Sequence, residues 1–300
     1  MTLTALLATR DRPDALRTCL QSLEAADRTM TVCVLDQSDG DESARVMAGL
    51  DLPNLRWIRC ATRGRSKTII QYWDQIPGDV LAIVDDDTTV TPEWPAVIRE
   101  AFAEGTLDVL LGRMLAGRPL LPGEQLTRRD RKQPFEPRGR LARFASHGVG
   151  GAMAFRRDAL ARIGGFDPLL GPGGRFPGHD DFDLVSRALK AGLRVRCIPA
   201  YTVHHWGFRN ERDGSAARLL TGYSKARGAT AAKSLKLGDW VGVAAEWRVF
   251  LIWLAAGRPF LRRAKTMKLT RGWHRAFLRG FASGLRSPVD RRTRCFRDAG

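Results

Sequence analysis

Over its first 115 residues the chain changes hydrophobic period repeatedly, and no other feature limits its fold as strongly. Short apolar runs read as strands: LTALLAT (3–9), TVCVLD (31–36), LRWIRC (55–60), VLAIVD (80–85) and DVLLGRML (108–115). Segments of helical period lie between them. PDALRTCLQSLEAA (13–26) puts Leu16, Leu20 and Leu23 on one face and has Pro13 at its start. DESARVMAGL (41–50), SKTIIQYWDQI (66–76) and PEWPAVIREAFAE (92–104) repeat the pattern. Strands joined through helices run parallel by right-handed crossovers, and such a sheet is covered on both faces. The expected fold class is α/β, Rossmann-like, with a mainly parallel sheet.

In such sheets ligands bind outside the carboxyl ends of the strands. Asp36 and the run Asp85-Asp86-Asp87 fall at such ends. Adjacent carboxylates repel one another and resist desolvation, so a positive partner is expected among them. A turn in open water would hold them as well. Alternation along the strand places Asp85 and Asp87 on one side. That suits a hard divalent cation, Mg2+ or Mn2+, with substrate oxygens completing its shell.

A second acidic run, HDDFDLVSRALKAG (179–192), opens a helix whose dipole favours Asp180 and Asp181 in its first turn. Asp183 and Arg187 are spaced for an i,i+4 ion pair. On its own this is a charged helix start. The glycines leading into it (Gly171, Gly173, Gly174, Gly178) fit a segment that closes over a substrate. His204 and His205 follow the strand-like LRVRCIP (193–199). Neutral imidazole ligates Mn2+ well, and a structural role fits a histidine equally. Residues 116–145, rich in Arg, Pro and Gly, read as a long mobile arm.

The joint order of TRDRP (9–13), VLDQSD (34–39), IVDDDTTVTPEW (83–94), GGAMAFRRDALARIGGFD (150–167), DDFDLVSRALKAG (180–192) and HHWG (204–207) resembles family 2 of the glycosyltransferases. The resemblance covers residues 3 to about 210. It implies a GT-A fold, with a mixed, mainly parallel sheet, and inverting transfer from a nucleotide-sugar. It also implies a catalytic domain at 1–213, with a nucleotide-binding half at 1–115 and an acceptor half at 146–213. By resemblance, Asp85, Asp87 and His204 hold Mg2+ or Mn2+ on the donor diphosphate, with His205 as the fallback ligand. Asp180 is the implied base. Thr9, Arg12, Asp36, Arg65, Lys67 and Asp86 are the implied nucleotide contacts, and Gly150, Gly151, His179, Asp181 and His205 the donor and acceptor pocket. Two segments depart from the family pattern. RGRSKTI (63–69) stands where relatives have N-x-G-x-x-x-A-x-N, and Gln37 replaces an asparagine.

The formal net charge is +17, and it is concentrated at one end. Residues 1–115 carry 12 Lys+Arg against 18 Asp+Glu, whereas 214–300 carry 19 against 4. The tail interleaves Trp240, Trp247, Trp253 and Trp273 with cations, a composition suited to helices lying on an anionic bilayer surface. A helical subdomain packed on the core is the plainer reading of residues 214–300. The expectation is a protein peripheral to the inner membrane face, acting on a saccharide or lipid-linked acceptor with a UDP-, GDP- or dTDP-sugar donor. A nucleic-acid- or membrane-binding protein without transferase activity is the alternative. Against nucleic acid stand the acidic N-terminal half and the absence of a recognisable binding motif. A sugar-phosphate nucleotidyltransferase would need a glycine-rich N-terminal loop, and ATRDRPD (8–14) has no glycine. Five cysteines, an odd number without a CxxC pair, argue against a disulfide framework or a zinc knuckle and fit a reducing cytoplasm. MTLTALLATRDRP lacks the basic start and apolar length of a secretory leader.

Overall fold

The structure, a computed structural model, describes residues 1–139, 142, 150–256 and 272–298. The first half winds as its periodicity dictates. Strands β1 (Leu3–Thr9), β2 (Thr31–Asp36), β3 (Leu55–Arg59) and β4 (Val80–Asp85) alternate with helices α1 (Pro13–Ala26), α2 (Glu42–Ala48) and α3 (Arg65–Gln71). β5 (Thr88–Val90), α4 (Trp94–Ala103) and β6 (Val109–Ala116) follow. Next come β7 (Glu124–Gln125), β8 (Met153–Arg156), α5 (Arg157–Arg162), α6 (Asp180–Lys190), β9 (Val195–His205) and β10 (Arg209–Asn210).

Eight strands make one sheet in the order β3-β2-β1-β4-β8-β6-β9-β5. β3, β2, β1 and β4 are mutually parallel. β8 enters antiparallel between β4 and β6, β6 pairs parallel with β9, and the short β5 closes the edge antiparallel to β9. Alternate residues of each strand face opposite sides. Ala5, Leu7, Ala82 and Val84 meet Leu16, Leu20 and Leu23 of α1 and Trp94 of α4. Leu6, Leu35, Leu81 and Ile83 meet Ile69 of α3, Leu160 of α5 and Leu184 of α6. Burying each leucine, isoleucine or valine among them contributes roughly 1.5–3 kcal/mol. The sheet is therefore held from both faces, and its carboxyl edge is left for function.

The arm expected to be mobile is docked over its described part. β7 pairs with β10, Met114 bridges Arg129, and Phe135 bridges Cys197. Arg113 also holds Asp130 at 2.7 Å. Backbone pairing anchors this arm, and composition carries no mark of that. Residues 140, 141 and 143–149 of the arm and of the strand-like run after it lie outside the described residues, as do 257–271 of the basic tail.

Three helices complete the chain: α7 (Ser215–Lys236), α8 (Trp240–Ala256) and α9 (Trp273–Arg286). α7 is fixed to α6 by charge. Buried Lys233 sends its Nζ to Asp167 at 2.6 Å and to Asp183 at 2.5 Å, and Arg187 meets Asp183 at 2.8 Å as the i,i+4 spacing implies. Trp247 and Phe250 of α8 pack with Trp273 and Phe277 of α9, ring centroids 4.6 to 5.4 Å apart. Trp240, Leu251, Ile252 and Leu254 of α8 stay exposed. No helix among the described residues is long and apolar enough to cross a membrane.

Candidate active site

β4 delivers Asp85 to the carboxyl edge, and the turn into β5 presents Asp86 and Asp87 beside it. The positive partners that such a run requires are present. Arg65, at the start of α3, bonds Asp85 on one side and Asp180 at 2.6 Å on the other. Arg12, before α1, donates to Asp86 at 3.1 Å and to Asp87 at 3.2 Å. The Thr9 hydroxyl donates to Asp86 at 2.9 Å. Asp180 opens α6, and the chain before it runs close. Gly171 has φ +95°, and a Cβ there would sit 2.8 Å from the Asp180 carboxylate.

His205 ends β9 opposite Thr88. Its Nδ1–H donates to the Thr127 carbonyl at 2.9 Å; Nε2 faces Asp87 at 3.3 Å, donating to it when the ring is protonated and offering a lone pair to a cation when the ring is neutral. The glycine of HHWG permits this approach: a Cβ on Gly207 would lie 2.5 Å from both Asp87 Oδ2 and His205 Nε2.

Burial raises the Asp85 carboxyl above the usual range despite Arg65. It pushes Asp86 up to about 6 against the pull of Arg12, with Asp87 adding repulsion. Burial also works against the charge of Asp87, but the bond from His205 and the charges of His205 and Arg12 outweigh it and hold Asp87 low. His205 is disfavoured as a cation by burial, and the bond to Asp87 outweighs that and raises its pKa. Burial opposes the Arg65 charge, which Asp180 and Asp85 more than restore.

These groups line a cleft of about 660 Å3. Thr9, Arg12, Arg65 and Asp85–Asp87 stand on its wall, as do Gly150, His179, Asp180, Asp181 and His205. Gly151 lies beneath Asp85, where a Cβ would come within 2.7 Å of its carboxylate. Three expected residues are elsewhere. Asp36 is buried behind the cleft, accepting from the Ser38 amide at 2.9 Å and Trp57 Nε1 at 3.2 Å. Lys67 pairs with Asp298 at 2.5 Å near the C-terminus. His204 is not on the cleft wall. β9 continues through both histidines, and the two-residue period turns His205 inward and His204 away.

One partner was not foreseen. His179, left-handed at φ +66°, places Nε2 2.9 Å from Glu246 of α8, which also receives Arg227 of α7 at 3.0 Å. The available signal was a lone carboxylate in an apolar helix, WVGVAAEWRVFLIW.

Among the described residues no three His, Cys, Asp or Glu side chains gather as a metal site by themselves. Asp87 and His205 nevertheless fit a hard divalent cation. Two oxygen and nitrogen donors converge, and the second ring nitrogen is committed to a backbone carbonyl. Such ions are commonly held by one or two protein groups plus substrate phosphates.

A mixed α/β sheet with an acidic cleft at its carboxyl edge defines a protein of the GT-A architecture, and solved structures bear this out. S. aureus TarS 1-349 in complex with UDP-GlcNAc matches with a TM-score of 0.65 at 15% identity, over 95% of this chain and 82% of that one. A longer TarS structure matches at 0.54 and 16% identity, over 75% of this chain, which spans 39% of that one. A mycobacterial protein matches at 0.51 and 15% identity, over 76% of this chain and 72% of its own. No curated protein matches the chain. More particularly, residues 4–164 match glycosyl transferase family 2, and the chain belongs to that family.

Proposed function

We propose that the protein transfers a sugar from a nucleoside-diphosphate donor to an acceptor hydroxyl with inversion. The observation that carries this is the convergence of Asp85–Asp87 and Asp180, from opposite ends of the family's motif order, on one cleft. Family membership and the UDP-GlcNAc complex of TarS support a nucleotide-sugar, with UDP-sugars the first to test.

Asp180 takes the proton of the acceptor hydroxyl as that oxygen attacks the anomeric carbon opposite the leaving group. Its Oδ2 is engaged by Arg65, and Oδ1 has no partner among the described residues. Arg65 and Ser66 orient the carboxylate. Arg12 and Thr9 fix Asp86 and, with it, the turn that carries Asp87. Asp87 and His205, with Asp85 beside them, would hold Mg2+ or Mn2+. When bound, that ion supplies Lewis-acid stabilisation of the departing diphosphate. Peripheral contact with an anionic membrane through α8 and α9 belongs to the same proposal, supported by exposed Trp240, Leu251, Ile252 and Leu254 beside a basic tail.

The test is release of nucleoside diphosphate from UDP-sugars with Mn2+, in wild type and Asp180→Asn. We expect the variant to keep donor affinity within about twofold and to lose transfer by roughly 10²-fold or more. Near-normal turnover in Asp180→Asn contradicts the base assignment.

A further inference from the structure

Two residues of left-handed backbone lead into Asp180: Gly178 at φ +117° and His179 at φ +66°. Glycine adopts that conformation freely, whereas a residue with a Cβ does so at a cost. The turn alone would therefore favour glycine at 179 as at 178. Strained backbone persists where its surroundings over-determine it, and it gathers at functional sites.

The ring of His179 is clamped on two sides. It stacks on Phe182 of α6, centroids 4.7 Å apart and planes 14° from parallel. Its Nε2 lies 2.9 Å from one oxygen of Glu246 of α8. Glu246 is buried, and its other oxygen accepts from Arg227 of α7 at 3.0 Å. A carboxylate withdrawn from water is costly unless its oxygens are matched. One of the two matches is the residue directly before the base.

The consequence falls on Asp180, because the backbone angles of His179 set the direction in which the next residue leaves. The His179 carbonyl accepts the opening helical bond, from the Asp183 amide at 3.0 Å. The Gly178 carbonyl accepts from the Gly171 amide at 3.1 Å. Of the two turn residues only His179 has a side chain by which another element can hold it. Arg65 and Ser66 orient the Asp180 carboxylate from α3, and Glu246 reaches the same residue from α8 through the turn.

We infer that Glu246 is a positioning residue for sugar transfer: its bond to His179 holds the left-handed turn that aims Asp180 into the cleft. This rests on the reading of Asp180 as the base and adds a requirement from a helix remote in sequence.

The experiment measures UDP release from UDP-GlcNAc with Mn2+, water serving as acceptor, in the full chain. Glu246→Gln offers one acceptor oxygen where two are needed. It should lower kcat by about tenfold or more and leave the donor KM within about twofold, since a small misplacement of a reacting group is costly. His179→Ala should lose as much, because alanine has the strain without the bond. His179→Gly should recover most of that loss, because glycine holds the turn unaided. Glu246→Gln added to His179→Gly should then have no further effect on kcat. The alanine and glycine variants of His179 keep the comparison open should Glu246→Gln not fold. An unchanged kcat in Glu246→Gln, a His179→Gly variant no faster than His179→Ala, or an equal loss from Glu246→Gln in the wild-type and His179→Gly backgrounds overturns the inference. Near-normal turnover in Asp180→Asn defeats the base assignment instead, and a wild type that does not bind UDP defeats the transferase reading, so the three failures are distinguishable.

Discussion

Arg65 and Asp180 are 115 residues apart in sequence and 2.6 Å apart in space. The same guanidinium bonds Asp85. One cation therefore ties the strand-end carboxylates to the base and lets both acidic runs occupy one cleft.

Removing that cation leaves two carboxylates facing each other with little water. Arg65→Gln should cost about 3–5 kcal/mol of stability, the usual result of breaking a buried pair from one side. Arg65→Lys should recover only part of it, because an ammonium cannot fork to both partners. Urea unfolding of the three proteins reads this directly. Equal midpoints would mean that the bridge does not hold the cleft together.

The two histidines should separate cleanly. His205→Ala should raise the Mn2+ concentration for half-maximal donor binding by about tenfold or more, and His204→Ala should leave it within twofold. The reverse order would return the ligand role to His204.

Asp86 gives the ligand-free protein a signed pH dependence. Its folded pKa is raised to about 6 from an ordinary value of 3.8, chiefly by burial. The fold thus favours its protonated form. That contribution is complete below pH 3.8 and is lost as pH rises through about 6. Asp86→Asn mimics the protonated state and should be more stable than wild type at pH 7 by on the order of 3 kcal/mol. The two should converge near pH 4. A difference independent of pH between 4 and 7 contradicts the assignment.

The outer face of α8 should carry the membrane contact. Leu251→Asp with Ile252→Asp should abolish cosedimentation with anionic vesicles and leave UDP binding unchanged. Retained cosedimentation would move the contact elsewhere.

The alternation of apolar and helical periods placed β1 to β4, α1 and α4 within a few residues; β1, β2 and β4 are apolar runs because both their faces are buried, whereas β3, at the sheet edge, leaves Arg56, Trp57 and Arg59 exposed. Local pattern could not show β8 entering antiparallel, since pairing direction is decided by a distant partner. β5 is only three residues long and leaves no periodic mark. The acidic runs were legible as functional candidates, but their counter-charge was not. Arg65 read as a nucleotide contact, and only the approach of α3 to α6 makes it the bridge between carboxylates. The choice between His204 and His205 depends on where β9 ends, and one residue of register reverses it. Glu246 acts on the His179 side of the cleft from a helix about 70 residues away, a relation no spacing rule anticipates.

The central claim is that the converging carboxylates form one metal-assisted nucleotide-sugar site. Thermal unfolding of wild type and Asp87→Ala, with a panel of nucleotide-sugars in the presence and absence of Mn2+, tests it most directly. We predict that at least one nucleotide-sugar raises the wild-type melting temperature only when Mn2+ is present, and that Asp87→Ala abolishes the rise. A panel in which none stabilises the wild type, or one in which Asp87→Ala responds as wild type does, would contradict it.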